Sequence, residues 1–100
     1  QYGRGSLHYA SPEIILSREF YGPEADIWSL GVVLFAMVCG IFPLDFSKGS
    51  VGQAYKSLER SGLPFSQASK ELSPEYKDLV MRMLNLRADR RITIAGIEVT

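Results

Sequence analysis

His8 and Cys39 are the side chains best suited to metal or nucleophilic chemistry, and each is the single residue of its type. No Cys or second His lies at ligand spacing from His8, so a metal site is not expected. One His without a nucleophile motif makes no Ser/His/Asp triad. Cys39 sits in an apolar run with no partner for an internal disulfide and reads as a small core residue, which fits a reducing compartment. The other candidates are charges. Glu13 follows Ser11 and Pro12, and Asp26 follows Pro23 and Glu24, so both acids fall in the first turn of a helix, where the helix dipole favours them. Arg91 closes a basic cluster with Arg87 and Arg90. As bare residues these are solvated helix-start acids and an unrelated arginine, worth little as a pair.

The elements that must carry these residues read as helices. Residues 1–9 are punctuated by Gly3 and Gly5 and read as loop, after which Ser11, Pro12 and Glu13 start a short helix. A second helix runs from the Glu24 and Asp26 acids to Cys39, with Trp28, Leu30, Val32, Val33, Leu34, Phe35, Met37 and Val38 apolar in every direction. Such a helix belongs inside a domain. Gly40 is placed to cap it and Pro43 prevents its resumption. Residues 44–50 read as loop, and Val51, Tyr55 and Leu58 recur at near-helical spacing until Gly62 and Pro64. Ser73, Pro74 and Glu75 repeat the helix-start signature, and Tyr76, Leu79, Val80, Met83 and Leu84 share one face of the helix that follows. A last helix starts near Thr93, with Ile94 and Ile97 on one side. The fold class is all-α.

Eleven basic residues balance eleven acidic ones, so no net field draws nucleic acid or an anionic membrane. With 46% hydrophobic and 22% charged residues, the composition is that of a soluble globular chain and argues against disorder. Residues 27–44 are almost wholly apolar, but Ser29 and Pro43 interrupt the run. The unbroken stretch, 30–42, has the length of a buried core helix, so no membrane span is expected. The chain opens on Gln1 without a leader and stops after Val99 and Thr100 without a cap signal; both ends read as cut.

Tyr9-Ala10-Ser11-Pro12-Glu13, then Asp26-Ile27-Trp28-Ser29-Leu30-Gly31 opening the apolar run, then Arg91 directly before Ile92 and Thr93, resemble in this order the second half of a eukaryotic protein kinase domain. Gly5-Ser6 upstream of Tyr9 is similar to serine/threonine rather than tyrosine kinases. The run Gly-Ser-x-His-Tyr-Ala-Ser-Pro-Glu with a Cys-Gly helix end looks like the calcium/calmodulin-dependent and nutrient-sensing group. The resemblance implies the helical C-lobe portion of a kinase-like fold, with residues 1–100 a partial domain truncated at both ends. It makes Gly5, Ser6 and Tyr9 the substrate-adjacent loop. It gives Pro12, Glu13, Asp26, Trp28, Gly31 and Arg91 structural roles: Glu13 and Arg91 as a buried ion pair, Asp26 as an acceptor for catalytic-loop N–H groups, and Trp28 and Leu30 as packing residues of the central helix. With those donors outside the chain, Asp26 is expected to face water or go unsatisfied.

No catalytic, cofactor-binding or metal-binding residue is expected within the chain. The glycine-rich loop, nucleotide-binding Lys, H-R-D loop and D-F-G site of the family are not in it. ATP and Mg2+ are expected to bind the parent domain elsewhere. Departures from the family pattern touch regulation and packing: Tyr2 stands where an activating Thr is frequent, Ser11 replaces Ala, Ala36 stands where basophilic kinases carry Glu, Leu44 replaces Phe, and Arg87-Ala88 replaces Asp-Pro. The implied function is part of an intracellular, cytoplasmic serine/threonine kinase acting on protein substrates, with a docking surface around residues 50–65. The alternatives are a pseudokinase or scaffold lobe that binds proteins without phosphoryl transfer, and a free-standing helical module. The last requires the 100 residues to fold alone, which the uncovered apolar helix argues against.

Overall fold

The computed structural model describes residues 9–13, 22–47, 49–68 and 71–98. Four helices, α1 (Pro23–Cys39), α2 (Val51–Ser61), α3 (Pro74–Met83) and α4 (Ile94–Glu98), follow in that order, with no strand among the described residues. Single 3-10 turns at Phe65–Gln67 and Ala88–Arg90 lie in the connections. The short helix expected after Ser11 is seen only at its start, Pro12 and Glu13 being helical, and its body lies outside the described residues.

Each helix begins and ends where its local chemistry dictates. Gly22 precedes α1 in extended conformation, and Pro23 supplies the pre-set φ and missing N–H that suit a first helical position. Gly40 ends it at φ 79°, donating its N–H to the Ala36 carbonyl; the left-handed conformation strains any residue with a Cβ. Ser50 and Gln53 form a reciprocal capping box on α2: Gln53 N–H donates to Ser50 Oγ at 3.2 Å and Ser50 N–H to Gln53 Oε1 at 3.1 Å. This cap lies in a stretch that the sequence pattern read only as loop. Ser73 Oγ accepts from Tyr76 N–H at 3.1 Å to start α3, and Thr93 Oγ1 accepts from Gly96 N–H at 3.1 Å to start α4.

The core gathers Trp28, Val32, Phe35 and Cys39 of α1, Tyr55 and Leu58 of α2, and Val80 and Leu84 from α3 and its end. Helix α1 crosses α3 at Gly31, where an added Cβ would lie 2.9 Å from Met83 Cβ and 3.0 Å from Leu84 Cδ2. Tyr76 Oη donates to the Leu34 carbonyl at 2.9 Å and ties the same two helices again. Phe65 packs between them, its ring tilted against Phe35 at 5.6 Å and edge-on to Tyr76 at 6.5 Å, so the turn at Phe65–Gln67 is pinned by its aromatic residue.

Trp28 is fully buried, while Leu30 is 44% exposed in this chain; with Val33 and Met37, 37% and 75% exposed, it forms an outward apolar stripe. The three residues recur at i, i+3 and i+7, which puts them on one face of α1. No helix among the described residues is long and apolar enough to cross a membrane.

Candidate functional site

Three elements converge on residues 9–13. From the C-terminal side comes Arg91, directly after the turn at Ala88–Arg90, with its side chain wholly buried. Its Nη1 and Nη2 donate to the two Glu13 carboxylate oxygens at 2.9 and 3.0 Å, a bidentate pair across 78 residues of sequence. Nη1 also donates to the Glu24 carbonyl at 2.8 Å and Nε to the Asn85 carbonyl at 2.9 Å. Four of the five guanidinium N–H groups are thereby satisfied, which is what a charge removed from water requires. The guanidinium carbon lies 5.2 Å over the Trp28 ring, adding a cation–π contact from the floor of the site. Arg90, the neighbouring candidate in sequence, is exposed.

Glu13 responds to this environment. Burial alone would raise its carboxyl, but the Arg91 hydrogen bond, a backbone hydrogen bond and the Arg91 charge outweigh it and hold the group below its ordinary value. The carboxylate is therefore ionised and fixed, the condition of a strut rather than of a proton carrier.

From α1, Ser29 Oγ donates to the Tyr9 carbonyl at 2.7 Å; from α2, Tyr55 Oη donates to the Ala10 carbonyl at 2.8 Å. The Tyr9 ring meets Phe42 edge-on at 5.6 Å, which seats the start of the segment against the loop after α1. Pro12 and Ser11 are buried beneath it.

Of the residues singled out in the sequence, Tyr9, Pro12, Glu13, Trp28 and Arg91 come together in this cluster. Gly31 lies instead at the α1–α3 crossing. Asp26 is exposed on the first turn of α1. Gly5, Ser6 and His8 lie outside the described residues. Sequence reasoning missed Ser29 and Tyr55, the first taken as an interruption of an apolar run and the second as an apolar helix position. Asn85 and Glu24 take part through backbone carbonyls, which no side-chain pattern reveals. Among the described residues no group of three or more His, Cys, Asp or Glu is placed to hold a metal ion.

A helical lobe in which a buried Glu–Arg pair clasps a loop to the central helix defines a class. Residues 1–98 match the protein kinase domain, and the chain belongs to that family, whose helical C-lobe these elements represent. Calcium-dependent protein kinase 17 of Arabidopsis thaliana is 39% identical over 94 residues, 93% of this chain and 17% of the relative. The carbon catabolite-derepressing protein kinase of Secale cereale is 39% identical over 95 residues, 93% of this chain and 18% of the relative. Probable serine/threonine-protein kinase MARK-A of Dictyostelium discoideum is 42% identical over 94 residues, 93% of this chain and 8% of the relative. The chain thus spans less than a fifth of the length of these relatives.

Proposed function

We propose that this chain is the substrate-adjacent loop and C-lobe scaffold of a serine/threonine protein kinase that transfers the γ-phosphoryl of ATP to protein hydroxyls. The observation that carries this reading is the bidentate Glu13–Arg91 pair, 0% exposed on the Arg91 side, which fixes the Glu13 end of residues 9–13 beside the start of α1. A pair so placed makes no bond to substrate. It holds the loop in register, so that substrate approaches a rigid edge.

The described residues do not fit ATP or Mg2+. They hold no cluster of metal ligands, and the sequence carries no glycine-rich phosphate cradle. In this reading both ligands bind residues of the parent protein outside this chain. The same reading makes residues 1–100 a partial domain, Gly5 and Ser6 part of the substrate-adjacent loop, and Asp26 an anchor for catalytic-loop N–H groups. The exposed stripe of Leu30, Val33 and Met37 is then the face on which the rest of the lobe packs.

Protein docking is assigned to residues 50–65, where a cleft of about 310 Å³ opens between Pro12 and α2 beside Gly52, Lys56 and Glu59. A buried, unpaired Cys39 favours an intracellular, cytoplasmic setting. The test is incubation of the full-length protein with ATP labelled at the γ position and a panel of Ser- and Thr-containing peptides. Labelled peptide is expected. A folded protein that binds peptides but transfers no label would overturn the enzymatic reading and leave the scaffold alternative.

A further inference from the structure

The carbonyls held by Ser29 and Tyr55 belong to successive residues. The Tyr9 carbonyl lies in the peptide plane before the Ala10 Cα, and the Ala10 carbonyl lies in the plane after it. Each plane is rigid, so fixing both sets φ and ψ of Ala10 and with them the direction in which the chain enters and leaves that residue. The two donors come from different helices, Ser29 from α1 and Tyr55 from α2, at 2.7 and 2.8 Å. The Glu13–Arg91 pair fixes only the far end of the segment. Without the two hydroxyls, residues 9–11 keep side-chain packing but lose the constraint on backbone direction.

The surroundings make the Tyr55 hydroxyl a committed donor. Tyr55 is 3% exposed and Ala10 is 3% exposed, so water does not replace the bond at either end. Burial first, then the Glu13 charge, raise the phenol far above its ordinary value, with Arg91 opposing in part, and the hydroxyl keeps its proton at every physiological pH. The ring itself is held separately, 6.1 Å from Trp28 and 6.2 Å from Phe46, so packing and donation are separable functions of one side chain.

We propose that Ser29 and Tyr55 are positioning residues for protein substrate, acting through Ala10 to set the backbone path of the substrate-adjacent loop. This rests on the kinase reading above. It goes beyond it by making the outer helix α2, and not only the central helix, a determinant of peptide binding.

The experiment uses the full-length protein with Tyr55→Phe, Ser29→Ala and both together, and with Ser29→Thr as the variant that retains a hydroxyl. KM for a Ser/Thr peptide is expected to rise about three- to tenfold in each single variant, the scale of one lost hydrogen bond. It should rise further in the double variant, with KM for ATP within about twofold of wild type and near-wild-type values restored by Ser29→Thr. Amide hydrogen exchange is measured on the same proteins and needs no catalysis. Residues 9–13 should exchange about tenfold faster in Tyr55→Phe while α3 is unchanged. Unchanged exchange at 9–13, or an active protein whose peptide KM does not move, overturns the proposal. So does a rise in both KM values with accelerated exchange throughout, which marks general destabilisation. A wild type that transfers no phosphate counts against the kinase reading instead, and the exchange result then decides the positioning claim by itself.

Discussion

Gly31 on α1 and Met83 on α3 approach so closely that a Cβ at position 31 would sit 2.9 Å from the Met83 Cβ, nearer than unbonded carbons come. The clash would be with the first atom of a side chain on a packed helix, which cannot swing aside, and Leu84 closes the other direction at 3.0 Å. Gly31→Ala should therefore force the two helices apart and destabilise the domain by about 1–3 kcal/mol despite the better helix propensity of Ala. Urea denaturation of the parent protein checks this; an unchanged or raised midpoint would show that the crossing is looser than the structure has it.

Removing one partner of the clasp leaves the other charge buried. Arg91→Met strands Glu13, and Glu13→Gln strands a guanidinium with no exposed surface, so each single change should cost about 3–5 kcal/mol. The double variant should recover part of that loss, because neither charge remains. Arg91→Lys should restore little, since an ammonium cannot span two carboxylate oxygens and two carbonyls at once. A double-mutant cycle in denaturant measures the coupling, and strictly additive losses would refute it.

The ionisation of Glu13 gives stability a pH dependence of known sign. Its folded-state pKa is lowered from 4.5, so the unfolded chain binds the proton more readily. The stabilisation is complete above the unfolded value and is lost as pH falls through the folded one. Unfolding free energy should therefore drop below about pH 4.5, and Glu13→Gln should flatten that part of the profile. At the other end, burial and the neighbouring Cys39 push the Tyr76 phenol from 10.0 up to about 12. The folded state there holds its proton longer, so stability falls as pH rises from 10.0 toward about 12, and Tyr76→Phe should abolish that component.

The stripe of Leu30, Val33 and Met37 predicts the behaviour of the isolated 100 residues. Three large apolar side chains exposed on one helix face favour self-association or loosened packing over a single rigid state. The excised chain should give broad, poorly dispersed amide signals and bind a hydrophobic dye. Sharp, dispersed spectra would instead support a free-standing helical module. Replacing the three residues with Gln, Lys and Glu should reduce dye binding if the stripe is its source.

Helix ends were the most legible part of the fold, because they rest on local chemistry: Pro23 and Gly40 bound α1, and Ser73 and Pro74 open α3. The capping box at Ser50 and Gln53 carries an equally local signature, Ser-x-x-Gln, which a reading of residues 44–50 as loop passed over. The orientation of α1 was not legible. A helix that is apolar all round contains no periodicity to say which side faces out, so nothing in the pattern separates outward Leu30 from buried Val32. At the site, Glu13 and Arg91 were visible through their types and order. The carbonyls of Glu24 and Asn85 were not, since a backbone acceptor has no residue type. Ser29 and Tyr55 sat in runs whose apolar neighbours set the reading.

Trp28 is the chain's one tryptophan, it is 0% exposed, and the Arg91 guanidinium carbon lies 5.2 Å over its ring. Its indole N–H is also buried, with no hydrogen-bond partner among the described residues. A buried emitter with a fixed cation on one face is sensitive to departure of the charge and to entry of water alike. In a protein whose other tryptophans have been replaced, its fluorescence would thus report optically, in real time and without added label, whether the ends of a 78-residue separation are joined.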